Sequence, residues 1–249
     1  MQAIVFDFFG TLTDPAAEAH RSDAFAATAA ALDVSASQFY TVMSSSFSER
    51  ITGVHGNTRQ TLLAMARRCG VEPAEDQLDR AVVVQRQGAA RVQQPRAGVF
   101  EVLDLLRERG FRLGLLSDCS SELYERWPQS SFAARFDATV FSWQEGYRKP
   151  DARLYATAAA RLGVAAGDCW YVGDGGSREH QGALTAGMRP VLITNANLPD
   201  VAHYRDDPDT LLPEYSVDEL AELPDLFESR GTTTGAPSPG AARTSDSMS

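Results

Sequence analysis

The 249-residue sequence contains 43% hydrophobic and 22% charged residues, values typical of a globular protein that exclude a collagen, a coiled coil or a wholly disordered chain. Its formal net charge of −10 and its pI of about 4.9 argue against a general electrostatic grip on nucleic acid or on an anionic membrane. No run approaches the roughly 18–20 consecutive apolar residues that a membrane span needs.

The cysteines and the N-terminus predict a cytoplasmic protein. Cys69, Cys119 and Cys169 have no CxxC spacing and no neighbouring histidine, so we expect reduced thiols rather than a disulfide framework or a zinc site. The N-terminus lacks the basic region of a secretion signal, and Asp7 interrupts its short apolar run. We therefore expect no membrane partner and no nucleic-acid partner, and the sequence does not indicate an oligomeric state.

Strand and helix patterns alternate along most of the chain. The first strand is apolar and ends at Asp7, and Val99, Val102 and Leu106 lie at helical spacing before the second strand. This alternation predicts a doubly wound, Rossmann-like α/β fold with a parallel sheet. The predicted strands are residues 2–7, 111–117, 137–142, 168–173 and 189–194, and the predicted helices are residues 98–110, 151–163, 177–187 and 216–227.

Residues 14–94 interrupt the alternation, because they contain several helical patterns and no convincing strand. We predict an all-helical cap over residues 14–94, inserted into an α/β core of residues 1–13 and 95–230. Ligands of open parallel sheets lie beyond the carboxyl ends of the strands, so an insertion at this place could cover a site. Residues 231–249 have no aromatic or branched aliphatic side chain, which predicts a disordered tail.

Four polar segments each follow a predicted strand. Asp7 ends the first strand, and Gly10 and Thr11 form a turn whose N–H groups could hold an anion. Lys149 is the one lysine among 23 basic residues, which is consistent with a site that needs a compact charge. The segments are FDFFGTLTD (residues 6–14), LLSDCS (115–120), GYRKPD (146–151) and YVGDGGSRE (171–179).

In this order, the four segments resemble the four motifs of the haloacid dehalogenase (HAD) superfamily of hydrolases, and the helical insertion resembles its cap. The resemblance covers about residues 1–228. It implies that Asp7 is the nucleophile that forms an aspartyl phosphate, that Ser117 hydrogen-bonds a phosphoryl oxygen and that Lys149 offsets negative charge. Thr11 would help to hold the loop. We expect Phe9, Gly10, Thr11 and Asp118 to contact a small anionic substrate.

The resemblance also implies a Mg²⁺ site. Asp7, Asp174 and the main-chain carbonyl of Phe9 would bind the cation, which prefers oxygen ligands. Glu179 would act through a metal-bound water or by positioning Lys149.

Phe9 departs from the phosphatase pattern, which places a second Asp two residues after the nucleophile. That Asp protonates the leaving oxygen, a contribution typically worth about 10²–10⁴-fold in rate, and Phe9 cannot transfer a proton. A cap residue could supply the proton instead, and His20, His55 and Glu49 are candidates.

Three interpretations follow from Phe9. In the favoured one, the protein hydrolyses a small phosphorylated metabolite, with a proton from the cap or a leaving group that needs none. In the second, it expels halide through an alkylated Asp7, as in the dehalogenase branch, which has an aromatic residue here but works without metal. In the third, it binds a ligand and turns over poorly. The branch that hydrolyses phosphonoacetaldehyde is excluded, because it needs a cap lysine and this cap contains none.

Overall fold

The computed structural model describes residues 2–196 and 207–231, with side chains as far as residue 229. Its strands are β1 (Ala3–Phe6), β2 (Arg112–Ser117), β3 (Ala138–Phe141), β4 (Cys169–Gly173), β5 (Arg189–Ile193) and β6 (Tyr215–Val217). They form one parallel sheet in the order β3-β2-β1-β4-β5-β6.

Strand β1 occupies the centre of this sheet. Phe6 lies beside Leu115 of β2 on one side and beside Val172 of β4 on the other. All four residues of β1 are fully buried, as expected for an apolar strand of a parallel sheet that is covered on both faces. Because neighbouring parallel strands end at the same edge, the residues that follow β1 and β4 are brought together.

The side chains of the sheet alternate between two hydrophobic cores. Ile4 and Phe6 pack with helices α6 (Val99–Glu108) and α11 (Leu223–Gly231) on one face. Ala3 and Val5 pack with α9 (Ala152–Leu162) and α10 (Glu179–Thr185) on the other. Two short helices, α7 (Ser121–Arg126) and α8 (Ser142–Glu145), follow β2 and β3. The predicted doubly wound α/β fold is confirmed.

The inserted helices between β1 and α6 have a separate core, which confirms an all-helical cap. Phe25, Phe39, Met43 and Met65 are buried among the cap helices. A 3₁₀ turn at Pro15–Ala19 precedes α1 (His20–Ala31), α2 (Ala36–Ser45), α3 (Phe47–Ile51), α4 (Thr58–Arg68) and α5 (Glu75–Val92). We propose cap limits at residues 14 and 94, because Thr13 and Pro95 pair in an antiparallel bridge where the two connecting segments meet.

The C-terminal part corrects one prediction. The sequence predicts a single helix over residues 216–227, whereas Ser216 and Val217 belong to β6 and helical structure begins at Leu220. Pairing with β5, which places Tyr215 beside Val191, overrides the local helical spacing in this short edge strand. The predicted tail lies outside the described residues from residue 232 onward. Within the described residues, no helix has the length and apolar character to span a membrane.

Candidate active site

The carboxyl edge of the sheet brings together the charged residues of three of the four segments. Nζ of Lys149 lies 2.5 Å from Oδ1 of Asp7 and 2.7 Å from Oε2 of Glu179. Asp7, Asp174 and Glu179 each offer a carboxylate oxygen, and these atoms all lie within 4.8 Å of one another. The adjacency of β1 and β4 explains this cluster, since Asp7 and Asp174 directly follow those two strands.

A tight loop after β1 places Asp7 at the site. The backbone N–H of Asp7 donates to the Val172 carbonyl at 2.9 Å, which extends the pairing of β1 with β4. Gly10 has φ of 72°, a left-handed conformation that favours glycine, and a Cβ there would lie 2.7 Å from Oδ2 of Asp174. The Gly10 N–H donates to the Thr13 hydroxyl at 3.0 Å, whereas among the described residues the Thr11 hydroxyl has no partner. The side-chain hydrogen bond to this turn therefore comes from Thr13, beside the backbone hydrogen bonds from Leu12 and Thr13 to the Phe8 carbonyl.

The loop that contains Lys149 is fixed by Asp118. The backbone N–H of Lys149 donates to Oδ1 of Asp118 at 3.0 Å, and the Lys149–Pro150 peptide bond is cis. Lys149 is 2% exposed. Burial opposes its charge, but Asp7, Glu179 and Asp118 together hold the pKa of Lys149 well above its ordinary value. The ammonium therefore stays charged at neutral pH.

Glu179 has partners on both of its oxygens. Oε2 accepts from the Tyr171 hydroxyl at 2.8 Å as well as from Lys149, and Oε1 accepts from the Gly175 N–H at 2.8 Å. Burial would raise the pKa of Glu179, but Lys149 and His180 bring it below its ordinary value. A fully bonded and buried carboxylate of this kind is suited to positioning the ammonium beside it.

The pKa of Asp7 is shifted in the opposite direction to that of Glu179. Burial raises the pKa of Asp7 to about 8, and the negative charges of Glu179 and Asp174 add to the rise, although Lys149 opposes it. Ionised together, the three carboxylates would carry more negative charge than the one ammonium neutralises, which is why Asp7 tends to keep its proton. A divalent cation with oxygen ligands would fit this cluster, because its charge would favour the ionised form of Asp7.

A cavity of about 510 Å³ lies between the cluster and the cap. Asp7, Lys149, Asp174 and Glu179 line it, as do the predicted substrate contacts Phe9, Gly10 and Asp118. Two other predicted site residues, Thr11 and Ser117, are fully buried and lie outside its lining. The cap lines the cavity with polar and aromatic side chains that include Glu18, Arg21, Tyr40, Phe47 and Arg50.

The sequence did not single out these cap residues. Nε and Nη2 of Arg21 each donate to Glu18 at 2.8 Å, and the Arg21 guanidinium carbon lies 5.5 Å from the ring centroid of Phe9. The ring of Phe9 packs edge-on against Phe8, with centroids 5.1 Å apart. No motif distinguishes Arg21 or Arg50 from the many other arginines, because only the folded cap brings them to the cavity.

None of the three cap candidates for a proton donor lines this cavity. His20 is exposed, and a ring nitrogen of His55 lies 2.7 Å from Oε2 of Glu49. Glu49 also accepts from Arg68 at 2.5 Å on the surface of the cap. Their positions favour the alternative interpretation of these three candidates, which is that they are surface or packing residues of the cap.

Comparisons with known proteins agree with the fold. A model of the haloacid dehalogenase-like hydrolase family matches residues 1–187. The glyceraldehyde 3-phosphate phosphatase of Methanopyrus kandleri is 29% identical over an alignment of 232 residues that covers 91% of this chain and 97% of that protein. A 2-haloacid dehalogenase from Pseudomonas syringae has a TM-score of 0.67 and 26% identity, over 92% of this chain and 99% of that one. A HAD phosphatase from Thermococcus onnurineus shares the fold, with a TM-score of 0.63 and 19% identity over 91% and 98% of the two chains.

Proposed function

This chain belongs to the haloacid dehalogenase-like hydrolase family, and from that premise we propose that it is a Mg²⁺-dependent phosphatase acting on a small phosphorylated metabolite. The observation that carries the proposal is the contact of Asp7 with Lys149 beside two further carboxylates, at the wall of a cavity large enough for a small molecule. The long match to a curated phosphatase favours phosphate esters over haloacids as substrates.

Asp7 would be the nucleophile. A carboxylate oxygen of Asp7 attacks phosphorus, the bond from phosphorus to the ester oxygen breaks, and the leaving group departs as an alkoxide or phenoxide that takes a proton from solvent. Water then attacks the same phosphorus and gives a proton to solvent, the bond from phosphorus to the Asp7 oxygen breaks, and phosphate is released with the carboxylate restored. Lys149 would offset the charge that gathers between Asp7 and the phosphoryl oxygens, and it lies 2.5 Å from Asp7 already in the free protein. Ser117 is proposed to hydrogen-bond a phosphoryl oxygen.

Asp7, Asp174 and the Phe9 carbonyl would hold Mg²⁺. When bound, the cation would supply positive charge to the phosphoryl oxygens and to the carboxylates. The structure favours the second of the two roles considered for Glu179, because both of its oxygens already accept hydrogen bonds within the protein.

Phe9 determines which leaving groups are suitable. Its ring contributes no proton, so esters of acidic alcohols or phenols are expected to react faster than alkyl esters. Of the cap carboxylates in the described residues, Glu18 lines the cavity, but two hydrogen bonds from Arg21 occupy it. The first chemical step is therefore expected to be fastest when the leaving group has a low pKa.

The aromatic side chain of Phe9 also favours a second candidate function. A halide leaves without a proton, so a carboxylate oxygen of Asp7 could displace it from C2 of a 2-haloacid, and water would then hydrolyse the ester that forms on Asp7. The dense carboxylate cluster argues for the phosphatase, because the dehalogenase branch that the sequence resembles works without metal.

One set of incubations tests the two functions. The purified protein is given p-nitrophenyl phosphate or a 2-haloacid, each with Mg²⁺ or with EDTA. Phosphate release that EDTA abolishes supports the proposal, whereas halide release that EDTA leaves unchanged supports the second candidate. Asp7→Asn is expected to abolish phosphate release, and Asp79→Asn on the exposed surface of the cap is the matched control. Full activity of the Asp7 variant would show that the nucleophile is misassigned.

A further inference from the structure

Arg50 is a buried and rigidly held cation in the cap wall of the cavity. It lies on α3, is 6% exposed and lines the same cavity as Asp7 and Lys149. Its Nη2 donates to the Met43 carbonyl at 2.9 Å, and its Nε lies 3.3 Å from both that carbonyl and the Ser46 hydroxyl. These neutral acceptors fix two of its three nitrogens in place.

Two aromatic rings lie near this guanidinium. The ring centroids of Phe25 and Phe47 each lie 5.9 Å from the guanidinium carbon of Arg50. Both rings also line the cavity. The side chain is therefore held in one orientation before any ligand arrives, which reduces the entropy lost when a ligand binds.

Arg50 has no carboxylate partner in the described part of the chain. No Asp or Glu oxygen there lies within 4.0 Å of its nitrogens, and Nη1 has no hydrogen-bond partner. Glu122 influences Arg50 from a greater distance, while its own oxygens accept from Gln85 at 2.7 Å and from Ser120 at 2.6 Å. Arg21, by contrast, has Glu18 as its partner.

A buried cation without a close counter-ion is costly, so such groups are normally paired. Burial lowers the pKa of Arg50 only to about 10, which leaves the guanidinium charged at neutral pH. The missing partner is thus most simply an anion that enters the cavity with the substrate.

We propose that Arg50 binds a second anionic group, carried by the part of the substrate that leaves. The inference rests on the proposed function and narrows its substrate class to phosphate monoesters whose organic part bears a carboxylate or another phosphate. The ester phosphate would lie at Asp7 and Lys149, and the second anion would accept a charge-assisted hydrogen bond from Nη1 of Arg50. Arg50 would then act as a specificity residue without taking part in the bond changes.

The test compares aryl phosphates that differ in one charge. Carboxyphenyl phosphates with zero to three methylenes before the carboxylate are each paired with their own methyl ester, which keeps size and leaving-group acidity close. A second series carries a phosphate in place of the carboxylate. Values of kcat/KM are measured for the wild type, Arg50→Met and Arg50→Lys, with Arg67→Met at an exposed cap position as the control.

At one spacing or more, the wild type is expected to prefer the charged compound about 10- to 100-fold. Arg50→Met should reduce this ratio to within about 3-fold, and Arg50→Lys should retain part of the preference. A wild type that shows no preference at any spacing in either series overturns the inference, whether or not the Met variant folds. An undiminished preference in a folded Arg50→Met protein overturns it as well.

This result is separable from the proposed function. If the neutral esters are hydrolysed but charge has no effect, only the role of Arg50 fails. If no phosphate ester is hydrolysed, the proposed function fails, and Arg50 is then tested by binding alone. In this binding test, a carboxyphenyl phosphate should raise the Tm of the Asp7→Asn variant more than its methyl ester does. In the double variant Asp7→Asn with Arg50→Met, the two compounds should raise the Tm equally.

Discussion

Glu179 holds Lys149 in place through an ion pair in which both side chains are almost fully buried. Oε2 of Glu179 lies 2.7 Å from Nζ of Lys149, and the two side chains are 1% and 2% exposed. Removing one partner of a buried pair leaves an uncompensated charge and typically costs about 3–5 kcal/mol of stability. The pair therefore links the stability of the core to the position of the ammonium beside Asp7.

Replacing Glu179 with Gln should lower kcat about 10- to 100-fold and change KM much less, because Lys149 loses the partner that aims it. A purely structural role would reduce the amount of folded enzyme without slowing the folded fraction, so kcat is normalised to active sites titrated by a tight-binding phosphate analogue. Glu179→Asp should recover part of the rate. Glu72→Gln, on the exposed surface of the cap, is the control. An unchanged kcat in Glu179→Gln would remove Glu179 from the positioning role.

Gly173→Ala tests the same contact without touching a charge. A Cβ at position 173, the last residue of β4, would overlap Oε1 of Glu179 and lie 3.0 Å from its Oε2. Glu179 must then move, so we expect kcat to fall as in Glu179→Gln and stability to drop by about 1–3 kcal/mol.

The control for this substitution is Gly167→Ala. A Cβ at position 167 meets no atom within 4 Å, and its backbone is outside the left-handed region. Urea unfolding and steady-state kinetics of both variants check the prediction. Equal kinetics for the two alanine variants would contradict it.

The core and its charged cluster were predictable because their signals are local in sequence. Apolar runs that end in Asp7 and Asp174 identify both strand ends, and parallel pairing then brings the two carboxylates together. Strand β6 was missed because three residues at a sheet edge carry too little periodicity to compete with the helical spacing that follows them.

The cap wall of the cavity was not predictable in the same way. Arg21 and Arg50 reach the cavity only through the packing of α1 and α3 against the other cap helices, a contact that no local pattern encodes. Likewise, the choice of Thr13 over Thr11 as the acceptor for the Gly10 N–H depends on the path of the turn, which the residue types leave open.

The raised pKa of Asp7 makes a prediction about stability and pH in EDTA. Between its unfolded value of 3.8 and its folded value of about 8, the folded state keeps the proton that the unfolded state has lost. Stability from this group is therefore greatest below about pH 4 and falls as the pH rises towards 8. Asn cannot ionise, so its variant escapes this loss of stability. The Tm of Asp7→Asn minus that of the wild type should therefore increase as the pH rises from 4 to 8.

Thermal melts from pH 4 to pH 8 in EDTA measure this difference, and repeated melts with Mg²⁺ provide the contrast. Saturating Mg²⁺ should stabilise the wild type more than Asp7→Asn, because a ligand raises the stability of the state that binds it. A difference in Tm that is independent of pH in EDTA would show that the pKa of Asp7 is not raised by its surroundings.

Phe9→Asp tests whether the absence of a proton donor limits the enzyme. The new carboxylate would stand two residues after Asp7, at the place where the phosphatase pattern has its acid, and near the guanidinium of Arg21. Hydrolysis of alkyl phosphates should rise by at least 10-fold, while p-nitrophenyl phosphate should change little because its leaving group needs no proton. Phe9→Asn is the control, because Asn matches Asp in shape but has no acidic proton. This variant should not favour alkyl phosphates over p-nitrophenyl phosphate. If Phe9→Asp gains nothing on alkyl phosphates, either another proton donor already serves the wild type or the site is unsuited to phosphate. Phosphate release from p-nitrophenyl phosphate in the Mg²⁺ and EDTA incubations supports the first explanation, and its absence supports the second.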